Sequence, residues 1–130
     1  MTRTLVDGMN VIGARADGWW RDRDGAARRL VVRLQDAAAR TGDVLTLVLD
    51  GRPPPGLGEG DHGGVEVRYA RRGGRDAADD RIVELVAADA DPAGLCVVTS
   101  DRELATRVIA LGATTEGAGS FLRRLDRLGV

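Results

Sequence analysis

Three short apolar runs each deliver an acid at or just past their C-terminal end, and stretches with helical spacing separate them. This pattern limits the fold more than any other feature of the chain. Residues 4–7 (TLVD) and 44–50 (VLTLVLD) end on Asp7 and Asp50, and residues 95–99 (LCVVT) lead through Ser100 to Asp101. The nearly continuous apolar character of the second run is that of a strand covered on both faces. Residues 22–42 bring Ala27, Leu30, Val31, Leu34, Ala37 and Ala38 to one helical face, with Asp24 placed to cap the start and Gly42 to close the end. Residues 76–89, 101–111 and 120–128 also carry helical spacing. Residues 65–70 alternate as a strand near a sheet edge does, and residues 113–116 read as a last short strand. The Pro/Gly-rich residues 51–64 are expected to form a mobile loop.

Strands alternating with helices predict an α/β fold: a Rossmann-like three-layer sandwich with a mostly parallel central sheet of about five strands and helices on both faces. With 130 residues and no repeats, the chain reads as one domain, 1–130, large enough to bury its own core. No apolar run approaches the roughly 20 residues of a membrane span, and the first is cut short by Asp7, so neither a span nor a signal peptide is expected. Cys96 stands alone, which excludes an internal disulfide and a cysteine-based metal site and fits a cytoplasmic location. A net charge of −1 is not that of a polycationic nucleic-acid coat. All 19 basic residues are arginine, and the absence of lysine excludes a P-loop and Schiff-base chemistry.

In a parallel sheet the C-terminal strand ends share one edge, and ligands bind in the crevice outside it. Asp7, Asp50 and Asp101 are therefore expected to converge there from distant parts of the chain. In the helix expected at 76–89, Ala78, Ile82, Leu85 and Val86 mark the apolar arc. Asp79 lies on the edge of that arc, with Asp76 and Asp80 beside it in the first turn. Like charges gathered in this way are costly unless something positive sits among them. A carboxylate aimed at a core edge is also expensive to bury without a partner. A hard divalent cation, Mg²⁺ or Mn²⁺, meets both demands through carboxylate oxygens and water. The single His62 and single Cys96 make zinc a poor match. Carboxylates holding such a metal suit phosphodiester hydrolysis, because the metal polarises the phosphate, activates water and stabilises the leaving oxygen.

Residues 5–12 (LVDGMNVI), 75–85 (RDAADDRIVEL) and 97–104 (VVTSDREL), in this order and at these separations, resemble the NYN domain family of the PIN-like nuclease superfamily. Within that family they look like the YacP-like branch of small bacterial endoribonucleases. The resemblance spans nearly the whole chain. It implies a PIN-like form of the sheet, Mg²⁺ or Mn²⁺ as cofactor, and cleavage of single-stranded RNA, with messenger RNA and the ribosome as expected partners. By position, Asp7, Asp79 and Asp101 match the central metal-binding acids and Asn10 the asparagine of the first motif, which implies a catalytic set of these four. Asp80 stands where relatives carry an acid, while Asp50 and Asp76 match more loosely. The implied metal set is thus Asp7, Asp50, Asp76, Asp79, Asp80 and Asp101.

Plainer roles stand beside these. Asp50-Gly51 is a natural turn and Asp76 a natural helix cap. Ser100 and Glu103 form an S-x-x-E capping box, which would release Asp101 from capping. Arg71, Arg72 and Arg75, with Arg68 before them, precede the acidic helix and are expected to contact RNA phosphates. Trp19 and Trp20 either pack a helix on the sheet or stack on a base. Asp-based phosphotransferases of the haloacid-dehalogenase type and receiver domains also place acids at strand ends. The first need a second Asp where this chain has Met9, and both recruit a lysine. The stronger alternative is a non-catalytic RNA- or ribosome-binding module on the same fold. Clustered acids argue against it, since a binder of polyanions gains nothing from gathered negative charge.

Overall fold

Apolar residues at alternate strand positions give the central sheet two faces that both need covering, and helices supply the cover. The computed structural model describes residues 2–70, 73–74 and 76–130. In chain order it contains β1 (Arg3–Asp7), α1 (Gly8–Gly13), a single 3₁₀ turn (Trp19–Arg21), α2 (Arg23–Thr41), β2 (Val44–Leu49), β3 (Gly60–His62) and β4 (Val65–Tyr69). There follow α3 (Ala77–Ala88), a second 3₁₀ turn (Pro92–Gly94), β5 (Leu95–Val98), α4 (Arg102–Ala110), β6 (Thr114–Glu116) and α5 (Ala118–Leu128). The strands lie in the order β3-β4-β2-β1-β5-β6, and every neighbouring pair is parallel except β3 with β4.

Leu5 and Val6 show how the strands divide between two cores. Val6, Leu47, Val67 and Val98 pack with Val11, Leu30, Leu34, Phe121 and Leu125 of α1, α2 and α5. Leu5, Val48 and Val97 pack on the other face with Ile82, Val86, Leu104 and Val108 of α3 and α4. Each such side chain contributes roughly 1.5–3 kcal/mol on burial, so the α/β sandwich expected from the alternation is held from both sides.

The sheet has six strands where about five were expected. The addition is β3, inside the segment read as a mobile loop. Its GDH sequence has no apolar alternation to reveal it. Pairing with β4 defines it, through the two-residue turn Gly63-Gly64 in which both glycines take positive φ (58° and 91°). The segment is also tied down. Leu57 is buried, its carbonyl accepts from the Tyr69 hydroxyl at 2.6 Å, and the Pro55 carbonyl accepts from Arg28 at 2.9 Å. At the start of α2 the capping carboxylate is Asp22, which accepts from the Gly25 N–H, and not Asp24, which lies inside the first turn. Gly42 closes the helix as expected.

Helix α1 begins directly after Asp7, where the sequence reading placed no element. Gly8 permits this. A Cβ there would stand 2.7 Å from Leu49 Cδ2 and 2.8 Å from the Val48 carbonyl oxygen. The chain can thus turn into a helix hard against β2 and leave Asp7 at the sheet edge.

Candidate active site

β1 sits between β2 and β5, with α1 and α2 over one face of the sheet and α3 and α4 over the other. Its C-terminal end is therefore the place where connections part and a crevice opens. Asp7 lies there and is only 5% exposed. Its Oδ2 accepts a hydrogen bond from Thr99 Oγ1 at 2.9 Å, and that same hydroxyl oxygen accepts from the Asp101 N–H at 3.1 Å. Asn10 Oδ1 accepts from the Ser100 N–H at 2.8 Å. Ser100 Oγ accepts from the Ala118 N–H at 2.9 Å and so fastens the start of α5. Residues 99–101 are thus locked to β1, α1 and α5 at once.

Asp101 caps α4, its Oδ1 accepting from the Leu104 N–H at 3.0 Å. The S-x-x-E box is therefore not formed: the helix begins one residue later than that pattern requires, and the Ser100 hydroxyl serves α5 instead. Asp79 stands half-buried in the first turn of α3.

Electrostatics show which acids meet. Burial pushes the Asp7 carboxyl up to about 6; the Thr99 hydroxyl opposes this, while the charges of Asp79 and Asp101 add to it. Burial also raises the Asp79 carboxyl above the usual range, with Asp101 and Asp76 adding and Arg107 opposing. Asp7, Asp79 and Asp101 thus share one field. Neither Asp7 nor Asp79 forms an ion pair among the described residues.

The remaining acids are differently engaged. Asp80 is exposed and held by Arg107 Nη1 at 3.1 Å. Asp50 is exposed, lies 3.5 Å from Arg23 Nη2, and borders a separate cleft of about 380 Å³. Asp76 occupies the cap position of α3 without a side-chain capping bond and adds only its charge to Asp79. Of the six expected acids, Asp76, Asp80 and Asp101 act on Asp79, and Asp79 and Asp101 act on Asp7, while Asp50 is not among the charges that shift either. Arg71, Arg72 and Arg75 lie outside the described residues. Arg68 pairs with Glu66 at 3.0 Å and lines a cleft with Arg3 and Leu95, away from Asp7. Trp19 is half-buried and meets Trp20 edge-on at 6.1 Å, while Trp20 remains 54% exposed.

Among the described residues, no group of three or more acidic, histidine or cysteine side chains is arranged to hold a metal ion as it stands. The donor chemistry nonetheless fits a hard cation. Asp7, Asp79 and Asp101 offer carboxylate oxygens, and the most buried of them has no ion-pair partner among the described residues. Thr99 and Arg107 are the site residues the sequence reading did not single out. A threonine between an apolar strand and an acid at a sheet edge is the one available signal for the first.

Comparison with known proteins agrees with this geometry. The model of the YacP-like NYN domain family matches residues 4–129. UPF0178 proteins of Xanthomonas oryzae pv. oryzae are 43% identical over 100 residues, covering 75% of this chain and 55% of theirs. The chain thus spans about half the length of the curated relatives it matches. Two crystal structures of Rae1 (YacP) from Bacillus subtilis, one of them a mutant, superpose with TM-scores of 0.78 and 0.76 at 26% identity. They cover 99% of this chain and 77% and 76% of those chains. The fold is that of the PIN-like nucleases.

Proposed function

The chain belongs to the YacP-like NYN domain family, and on that premise we propose that it is a metal-dependent endoribonuclease that hydrolyses phosphodiester bonds of single-stranded RNA. The observation that carries this reading is Asp7: a carboxylate 5% exposed at the crevice edge, facing the charges of Asp79 and Asp101 with no arginine partner among the described residues. In a chain with 19 arginines, leaving such a group uncompensated costs stability unless something else completes it. Asp7, Asp79 and Asp101 are the residues that would hold Mg²⁺ or Mn²⁺. Bound there, the ion supplies polarisation of the phosphate, activation of water and charge for the leaving oxygen.

The chain's own side chains orient that set. Thr99 donates to one oxygen of Asp7, and the Asn10 backbone N–H also favours the charged carboxylate. Asp101 spends one oxygen on the α4 cap, and its second has no hydrogen bond among the described residues. Asn10 acts on the backbone of Ser100 and is a positioning residue. Asp80 and Arg107 tie the acidic turn of α3 to α4.

The substrate we assign is messenger RNA, presented by the ribosome. A net charge of −1 offers little bulk attraction to a polyanion, so a partner or a local patch must concentrate the substrate. No helix among the described residues is long and apolar enough to cross a membrane. One competing reading is a non-catalytic RNA-binding module on the same fold. A cleavage assay separates the two. Single-stranded RNA should be cut in Mn²⁺, not in EDTA, and not by Asp7→Asn or Asp101→Asn, both with unchanged circular dichroism. Asparagine caps helices as well as aspartate does, so the second variant keeps α4 intact. RNA binding without turnover in Mn²⁺ would replace the enzyme with the binding module.

A further inference from the structure

Beside Asp7, on the β2–β4 side, lies the 380 Å³ cleft that the acidic centre does not use. Its volume falls within the range of small-ligand sites, about 300–1,000 Å³. Met9, two residues past Asp7, lines it together with Leu49 and Tyr69. Leu49 and Tyr69 pair across β2 and β4 and are both buried, so this wall is fixed. The outer wall is fixed too, by the Arg28 bond to the Pro55 carbonyl and the Tyr69 bond to the Leu57 carbonyl.

The rim is charged, and unevenly matched. Arg23 is engaged by Asp50 and lies over the Trp19 ring at 5.8 Å. Arg52 and Asp24, by contrast, form no ion pair or hydrogen bond among the described residues. An apolar wall with one guanidinium and one carboxylate that no described residue engages suits a flat heterocycle joined to a phosphate. Guanidinium matches phosphate oxygens. A carboxylate only accepts hydrogen bonds, so it favours bases that offer an amino group and disfavours the carbonyl edges of uracil.

Resting on the endoribonuclease reading above, we propose that this cleft is a single-nucleotide subsite. It seats the base next to the cut phosphate against Met9, Leu49 and Tyr69, and holds the adjoining phosphate with Arg52. Asp24 selects a base that bears an exocyclic amino group. The cleft is lined by Met9, two residues past Asp7, and by Ala77, two residues before Asp79, and we place one strand of RNA across both.

The test uses short RNAs that vary in the base at one position flanking the cut, with wild type, Asp24→Asn and Arg52→Ala. Both residues are exposed, so the core is spared. Wild type should cut the uridine-containing RNA least efficiently. Asp24→Asn, whose amide both donates and accepts, should narrow that gap by roughly tenfold in kcat/KM. Arg52→Ala should raise KM without lowering kcat and reduce the slope of log affinity against log salt by about one. Cleavage by all three proteins with one base ranking and one KM would overturn the subsite. Fluorescence anisotropy with the same RNAs on Asp7→Asn protein separates this from the fate of the enzyme reading. Binding that depends on Asp24 and Arg52 in a protein family that never cuts would keep the subsite and remove the nuclease. Binding indifferent to both residues, or no binding at all, would remove the subsite.

Discussion

Asp126 and Asp7 are the same side chain placed in two opposite settings. Asp126, on α5, is gripped by Arg15 at 2.6 Å and Arg33 at 2.9 Å. Those two guanidinium groups hold its carboxyl below the usual range. Glu116 with Arg124 and Asp89 with Arg3 repeat that arrangement, each at 2.7 Å. Asp7, more deeply buried than any of them, has a threonine hydroxyl and two neighbouring carboxylates. Among the described residues, arginines pair with these surface acids and none pairs with the most buried one. Under the proposed function, the difference marks the crevice as a place where stability is given up for binding.

Removing the uncompensated charge should break this contrast most strongly. Asp7→Asn is expected to lower the rate of RNA cleavage by more than the roughly 10–100-fold typical of residues that merely orient a ligand. It should at the same time stabilise the metal-free protein at neutral pH, by up to about 3 kcal/mol for a carboxyl raised from its usual value to about 6. Urea denaturation beside a kinetic assay checks both, and a variant that loses stability with activity would show Asp7 to be structural.

The pH dependence carries the same sign. Between the ordinary aspartate range and about 6, the folded metal-free protein keeps a proton on Asp7 that the unfolded chain releases. Stability from this group therefore falls as pH rises through that window and is flat above it. Asp126, lowered by its arginines, acts oppositely: its contribution is lost as pH falls. Denaturation across the acid range in wild type and Asp7→Asn should show the first slope only in wild type.

Thr99→Val comes next. It removes the hydroxyl that holds one oxygen of Asp7 and receives the Asp101 N–H, and should cost about 10–100-fold in activity. The Asp7 carboxyl should rise further, which a carbon-detected NMR titration reads directly. The smallest effect belongs to Asp126→Asn, which should lower the unfolding midpoint slightly and leave cleavage unchanged.

The apolar runs were enough to read the parallel strands, the long helices and the edge that carries Asp7 and Asp101, because strand period and helix period survive in the pattern. β3 was not legible, since GDH gains its conformation from β4 and a Gly63-Gly64 turn and not from its own side chains. Helix α1 was hidden because its six residues carry too little helical period, and only the closeness of Leu49 shows why glycine stands at its start. The misplaced caps have one cause. Asp22 and Asp24, or Ser100 and Asp101, are equally good capping residues on paper, and the exact start of the helix decides between them. Sequence gives Asp50 a strand end and Asp80 a first helical turn, but no partner; Arg23 and Arg107, distant in sequence, pair with them in the fold.

Manganese binding tests the central claim most directly. Electron paramagnetic resonance of Mn²⁺ titrated into the RNA-free protein should show a bound ion in wild type and in Asp126→Asn, and none at the same concentrations in Asp7→Asn. Equal binding by all three proteins, or no binding by wild type, would contradict the account.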